Sequence, residues 1–223
     1  GINFEVANLL SCKDSLNGAD TDANSATGGC AANRTRGGVE SKGFEIEGVL
    51  SPVRNVTVNM GLTYSDTKYR RNLVGTAGAP LSSALFQLPG RQISNAPKYV
   101  VTSSIAFTPD IGTSGLSALF YLDCRFQSDT NTGSDLDAEK IQDGFLVVNG
   151  RIGLFGPDKK WGIEVFGQNL FNKKFQQIGA DGPFLGGGTI RGAQSGVNAI
   201  ANQVFIGFPG EPRTYGVTVR GKF

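Results

Sequence analysis

The chain has 223 residues, a length that suits one all-β domain, and its 21 basic and 19 acidic residues leave a formal charge of +2. These charges are mixed along the sequence and give no basic stripe for nucleic acid, while the absence of histidine removes Ser-His-Asp and Cys-His catalysis and argues against zinc or haem. The chain is therefore expected to be no enzyme and to need no cofactor, and 32 glycines with 15 phenylalanines against a single methionine favour strands and turns over packed helices.

The sequence opens on Gly1 without an initiator methionine or a signal-peptide pattern, as expected of a processed chain or of one that begins inside a longer protein. No apolar run approaches the roughly 20 residues that a membrane-crossing helix needs, so any crossing of a bilayer is made by strands. Period-2 alternation predicts eight strands, near 2–8, 38–50, 55–69, 98–108, 116–127, 143–155, 161–171 and 212–223.

In the second segment Phe44, Ile46 and Leu50 oppose Glu45 and Glu47, and in the third Val58, Met60, Leu62 and Tyr64 oppose Asn59, Thr63 and Ser65. The fourth sets Tyr99, Val101, Ile105 and Phe107 against Thr102 and Ser104, and the fifth sets Leu122 and Phe126 against Asp123 and Arg125. The sixth sets Leu146, Val148, Ile152 and Leu154 against Asn149 and Arg151, and the seventh sets Trp161, Ile163, Val165 and Phe171 against Glu164 and Gln168. Val147 and Phe166 stand as apolar exceptions on the polar side. The eighth places Tyr215, Val217, Val219 and Phe223 on one face and Thr214, Thr218, Arg220 and Lys222 on the other, and its aromatic last residue marks it as an outer-membrane targeting strand.

Connection lengths alternate. Residues 51–54, 109–115 and 156–160 make short turns, whereas 9–37, 70–97, 128–142 and 172–211 exceed any ordinary hairpin loop. Short turns at one rim and long loops at the other are the habit of a transmembrane β-barrel. On that registration Tyr64, Tyr99, Phe126, Phe171 and Tyr215 form an outer aromatic girdle, and Phe107, Trp161 and Phe223 an inner one.

Four stretches then resemble, in order, the carboxy-terminal part of the barrel of TonB-dependent outer-membrane receptors: Gly43-Phe-Glu-Ile-Glu47 with Ser51-Pro52, Leu88 to Lys98, Gln168-Asn-Leu-Phe-Asn-Lys-Lys-Phe175, and the Pro-Arg-x-aromatic-Gly terminal strand from Gly210 to Phe223. The resemblance implies a 22-stranded antiparallel barrel around an amino-terminal plug domain, of which these strands form roughly the last third. It also implies uptake of a scarce nutrient, such as a siderophore-iron complex, cobalamin or carbohydrate, driven by TonB. The implied partners are the nutrient ligand, the lipid bilayer, the plug, TonB and the barrel-assembly machinery. A self-contained eight-stranded barrel with a structural or adhesive role stands as the alternative; in it Glu45, Glu47, Asp123, Arg125, Arg151, Glu164 and Arg220 pair inside a closed pore. A soluble carbohydrate-binding β-sandwich is a third reading, in which the apolar faces meet each other.

Candidate ligand contacts in the outer loops are Tyr69, Arg70, Arg71, Phe86, Gln87, Phe184 and Arg191. Cys12 and Cys30 lie in the first long loop, where an oxidising exterior supports a disulfide between them; free thiols or a bridge to another part are the alternatives. Cys124 alternates with the lipid-facing residues of its strand as a small hydrophobe. Gly186 to Gly192 fits no phosphate-binding pattern, and Asp129, Asp135, Asp137, Glu139 and Asp143 read as a solvated acidic loop in preference to a calcium site.

Overall fold

The computed structural model describes residues 9–14, 16, 28–82, 85–182 and 204–222. The predicted strand at 2–8, Phe184, Arg191, Phe223 and the Gly186 to Gly192 stretch lie outside the described residues.

Seven long strands carry the fold: β3 (Val39–Leu50), β4 (Val56–Tyr69), β6 (Tyr99–Phe107), β8 (Leu116–Gln127), β11 (Phe145–Phe155), β12 (Trp161–Gln168) and β15 (Thr214–Gly221). They pair antiparallel, each with its neighbour in sequence, so the sheet order from one end to the other is β15-β12-β11-β8-β6-β4-β3. A short strand, β7 (Asp110–Ile111), folds back on the start of β8 within a tight turn.

The pairings keep the two faces apart. Phe44 faces Tyr64, Leu62 faces Val101, Ile105 faces Leu122, Ile152 faces Val165 and Ile163 faces Val219. On the opposite face Glu45 meets Thr63, Ser104 meets Asp123, Asp123 meets Asn149 and Glu164 meets Thr218. Because the side-chain period is two, a slip of one residue would invert every strand, and the continuous registers of β3 with β4 and of β8 with β11 show no such slip.

Most of the apolar face lies open among the described residues. Leu122 is 47% exposed, Ile152 61% and Val217 63%, where a sandwich of two sheets would bury all three. Rings gather at both ends of this face: Phe44, Tyr64 and Tyr99 run across three strands with centroids 5.5 and 5.2 Å apart, and Phe107 stacks on Phe120 at 6.1 Å. From Tyr99 to Phe107 the chain climbs about 26 Å, or about 20 Å after a typical barrel tilt, which approaches the roughly 25 Å apolar band of a membrane barrel.

The packed core sits in the loops instead. Leu9, Leu73, Leu81, Leu85, Leu88 and Leu136 pack around Tyr69, with Phe86 and Ile93 against them, so three long connections share one apolar centre at one end of the sheet. Short strands organise that end: β1 (Leu10–Cys12) lies between β2 (Thr35–Gly37) and β5 (Leu73–Val74), β9 (Thr130–Asn131) pairs β10 (Ile141–Gln142), and β13 (Gln176–Asp181) pairs β14 (Phe205–Pro209). The sequence predicts plain loops for these stretches. Pairings of two or three residues are too short to show a period, and the Phe205–Pro209 stretch has no polar alternation to reveal it.

Candidate functional site

The polar face of the sheet forms a hollow of about 650 Å³ lined by Glu47, Asn59, Tyr121, Asp123, Arg125 and Asn149 and closed toward the loops by Phe145 and Phe175. The two rings stack at 4.2 Å. A line of hydrogen bonds crosses this face: Asn59 Nδ2 donates to Ser104 Oγ at 3.0 Å, Asn149 Nδ2 donates to Asp123 Oδ2 at 2.8 Å, and the Asn169 amide donates to Asn149 Oδ1 at 2.9 Å. Glu164 is nearly covered and lies 3.0 Å from an Arg220 nitrogen and 3.9 Å from an Arg151 nitrogen, and the Arg151 guanidinium stands 4.4 Å above the Tyr121 ring. Of the charges assigned to this face from the sequence, Arg151, Glu164 and Arg220 are joined, whereas Glu45, Glu47 and Arg125 remain exposed.

The two motifs that resemble the receptor family clasp each other. Asn169 ends β12 with φ 47°, a conformation that Asn tolerates better than most side chains, and this turn is why the strand predicted to run to 171 stops at Gln168. Its Nδ2 donates to the Lys173 and Glu211 carbonyls at 2.9 and 3.0 Å, and its Oδ1 accepts the Lys173 amide at 2.8 Å. The Arg213 amide donates to Asn172 Oδ1 at 3.3 Å, and Gly210 lies flat against the Phe175 ring, where a Cβ would collide. The Leu88 to Lys98 stretch runs beside the end of β4, with Ile93 N donating to Thr67 O at 3.0 Å and Gln92 Nε2 donating to Ser65 O and Ala96 O.

Of the acidic residues of the third loop, Asp129, Glu139 and Asp143 are exposed as expected, but Asp135 and Asp137 are not. Lys140, 2% exposed, is held by Asp135, by Asp181 at 2.7 Å and by Asp137 at 3.6 Å, beneath the Phe205 ring. The three carboxylates lie within 4.8 Å of one another, so the ammonium occupies the position a metal ion would take. Burial first, and then the Asp135 charge, push the Asp137 carboxyl up to about 6, while hydrogen bonds to Asp135 and Asp181 raise Lys140 against its own desolvation. Asp129, Glu139 and Asp143 stand outside this node. Asp181, which completes it, comes from 41 positions beyond Lys140, a distance that hides it from local pattern reading.

The loop residues singled out from the sequence take separate places. Tyr69 belongs to the loop core, Phe86 packs against that core, and Gln87 Nε2 donates to Asp137 Oδ1 at 3.0 Å, so these three hold the loops together. Arg70 pairs with Glu40 at 2.7 Å, and Arg71 is exposed. Both line a second pocket of about 390 Å³ with Arg36, Lys68 and Asn72. Cys12 and Cys30 are joined by a disulfide with a Cα separation of 6.1 Å, and Cys124, half-buried, lies 3.1 Å from Ser103 Oγ.

Neither a family model nor a curated protein matches the sequence. Among solved structures the chain is similar to the ferric yersiniabactin uptake receptor FyuA from Yersinia pestis, with a TM-score of 0.60 and 15% identity over 83% of this chain. The fold is an antiparallel sheet of the outer-membrane receptor barrel kind. The matched stretch is 24% of the length of that receptor. Among the described residues β3 and β15 are the two ends of the hydrogen-bonded path.

Proposed function

We propose that this chain is a section of barrel wall in a TonB-dependent outer-membrane transporter that takes up a scarce nutrient, with a ferric chelate as the first candidate and cobalamin or carbohydrate as the others. The observation that carries the reading is the inversion of the fold: the long strands show their apolar face outward and unpacked, while the buried core lies in the loops at one end. That arrangement suits a wall whose outside meets acyl chains and whose polar inside meets water, a plug or cargo. The likeness to a ferric yersiniabactin receptor favours an iron chelate over the other nutrients.

On this reading the long-loop end is extracellular, the hollow beneath Phe145 and Phe175 belongs to the lumen, and no residue performs covalent chemistry. The lipid bilayer, TonB, the plug and the barrel-assembly machinery are the proposed partners. Cells lacking the full-length protein should lose uptake of at least one labelled ferric chelate, and discharge of the proton gradient should abolish the same uptake in wild-type cells. Uptake of ferric chelates, cobalamin and oligosaccharides that is unchanged by the deletion would overturn the proposal.

A further inference from the structure

Strand parity shows which way the second pocket faces. In β3 and β4 the pairs Glu40 with Lys68, Lys42 with Asp66, and Phe44 with Tyr64 follow one another at two-residue steps with no break in register. Lys68 and Glu40 therefore project from the same face as Phe44 and Tyr64, the bilayer side, and Arg70 joins them through its ion pair with Glu40. Tyr69, one position away, points to the other side and is buried in the loop core. Arg70, a candidate nutrient contact from the sequence, thus projects on the apolar-face side of the sheet.

The height of this cluster is equally specific. Each cross-strand row lies about 7 Å beyond the last along the strand, so the Lys42 and Glu40 rows stand about 7 and 13 Å beyond the aromatic row, or about 5 and 10 Å after tilt. Headgroups occupy that slab, since the polar regions add roughly 5–8 Å to each side of a bilayer's hydrocarbon core.

The pocket at this level is lined by Arg36, Lys68, Arg70 and Arg71 with Glu40, and by Ser11 and Asn72, which already donate to the Cys12 and Asp14 carbonyls. Glu40 is already engaged by Lys42 and Arg70, and Lys68 by Asp66 at 2.8 Å, so among the described residues Arg36 and Arg71 carry the excess charge. The Arg70 Nε is buried and has no acceptor among the described residues, a cost that a bound oxyanion would remove. Excess positive charge, a spare guanidinium donor and a position directly above an aromatic girdle share one complement.

We propose that this rim pocket binds the phosphate of an anionic lipid headgroup in the outer leaflet. The proposal rests on the bilayer assignment of the apolar face, and its test separates the two. The full chain is purified in an uncharged detergent and titrated with fluorescent phosphatidic acid, with phosphatidylcholine of the same acyl chains, and with inorganic phosphate as competitor. Phosphatidic acid should bind at least about tenfold more tightly than phosphatidylcholine, and Lys68→Gln with Arg70→Gln should remove most of that preference. The exposed pair Arg36→Gln with Arg71→Gln, which leaves the Glu40–Arg70 contact intact, should weaken binding in the same direction, so a folding defect cannot account for the result.

Equal binding of the two lipids, or a preference that both double variants retain, would overturn the proposal while leaving the transporter reading untouched. Displacement of phosphatidic acid by low-millimolar inorganic phosphate would reassign the pocket to a soluble anion and overturn the lipid source. A chain that stays monodisperse without any detergent would overturn the bilayer assignment and this inference together.

Discussion

Asn169 shows how one side chain joins two distant stretches of sequence. It is almost fully buried, takes part in three hydrogen bonds with backbone groups of Lys173 and Glu211, and sits at positive φ. Asn169→Ala leaves two carbonyls and one amide without partners and adds backbone strain, so a loss of about 2–4 kcal/mol is expected in denaturant titration. Asn169→Gly keeps the turn but loses the bonds, and should fall between the alanine variant and the wild type. Asp137 carries a different cost. Its folded pKa of about 6 exceeds the ordinary 3.8, so the folded state holds a proton that the unfolded state has released between those values. Its contribution is therefore least unfavourable below pH 3.8 and becomes fully unfavourable as pH rises through about 6. Asp135, Glu139, Lys140 and Asp181 are the charges that act on it. Asp137→Asn, which still accepts from Gln87, should slow exchange of the Thr132 amide, bonded to Lys140 O, at pH 8, and should flatten its pH dependence between about pH 4 and 6.

At the scale of elements, strands and loops differ in how much of them the sequence discloses, and the difference is physical. A sheet with one apolar and one polar face imposes a strict two-residue period, so β8 was legible at Leu116–Gln127 without error and β3 and β4 to within one residue. The loops answer to no such solvent boundary. Their order comes from the Leu and Tyr69 core, from the buried Lys140 and from two- or three-residue pairings, all of which join positions far apart in sequence. Continuing the alternation of Leu62 and Tyr64 six residues onward already places Arg70 on the apolar-face side of the sheet, a parity legible in the sequence. The Cys12–Cys30 bridge closes a separation of 18 residues, worth about 3 kcal/mol in the chain-entropy account. Reduction should therefore speed proteolysis and amide exchange in β1 and β2, which pair beside it, and leave β8 and β11 unchanged. Faster exchange throughout the long strands after reduction would show that the loop cap and the wall unfold as one unit.

For the whole molecule the decisive quantity is the environment of the outward face. Val219 and Thr218 are consecutive in β15, pair with Ile163 and Glu164 respectively, and so project to opposite sides of the same wall. If the Val219 side meets hydrocarbon, Val219→Arg should cost about 2–4 kcal/mol near mid-depth in a bilayer. Thr218→Arg lies on the polar face opposite Glu164, where surface substitutions usually move stability by no more than about 0.5 kcal/mol. Both variants add the same charge to the same strand, so propensity and net charge cancel in the comparison, and only the surroundings differ. Unfolding of the full chain in lipid vesicles measures the gap directly. A difference above about 2 kcal/mol that shrinks when the protein is moved to water-rich conditions fits a face solvated by acyl chains. Equal costs at the two positions would mean that both sides of the wall meet the same medium, and the transport reading would lose its physical basis.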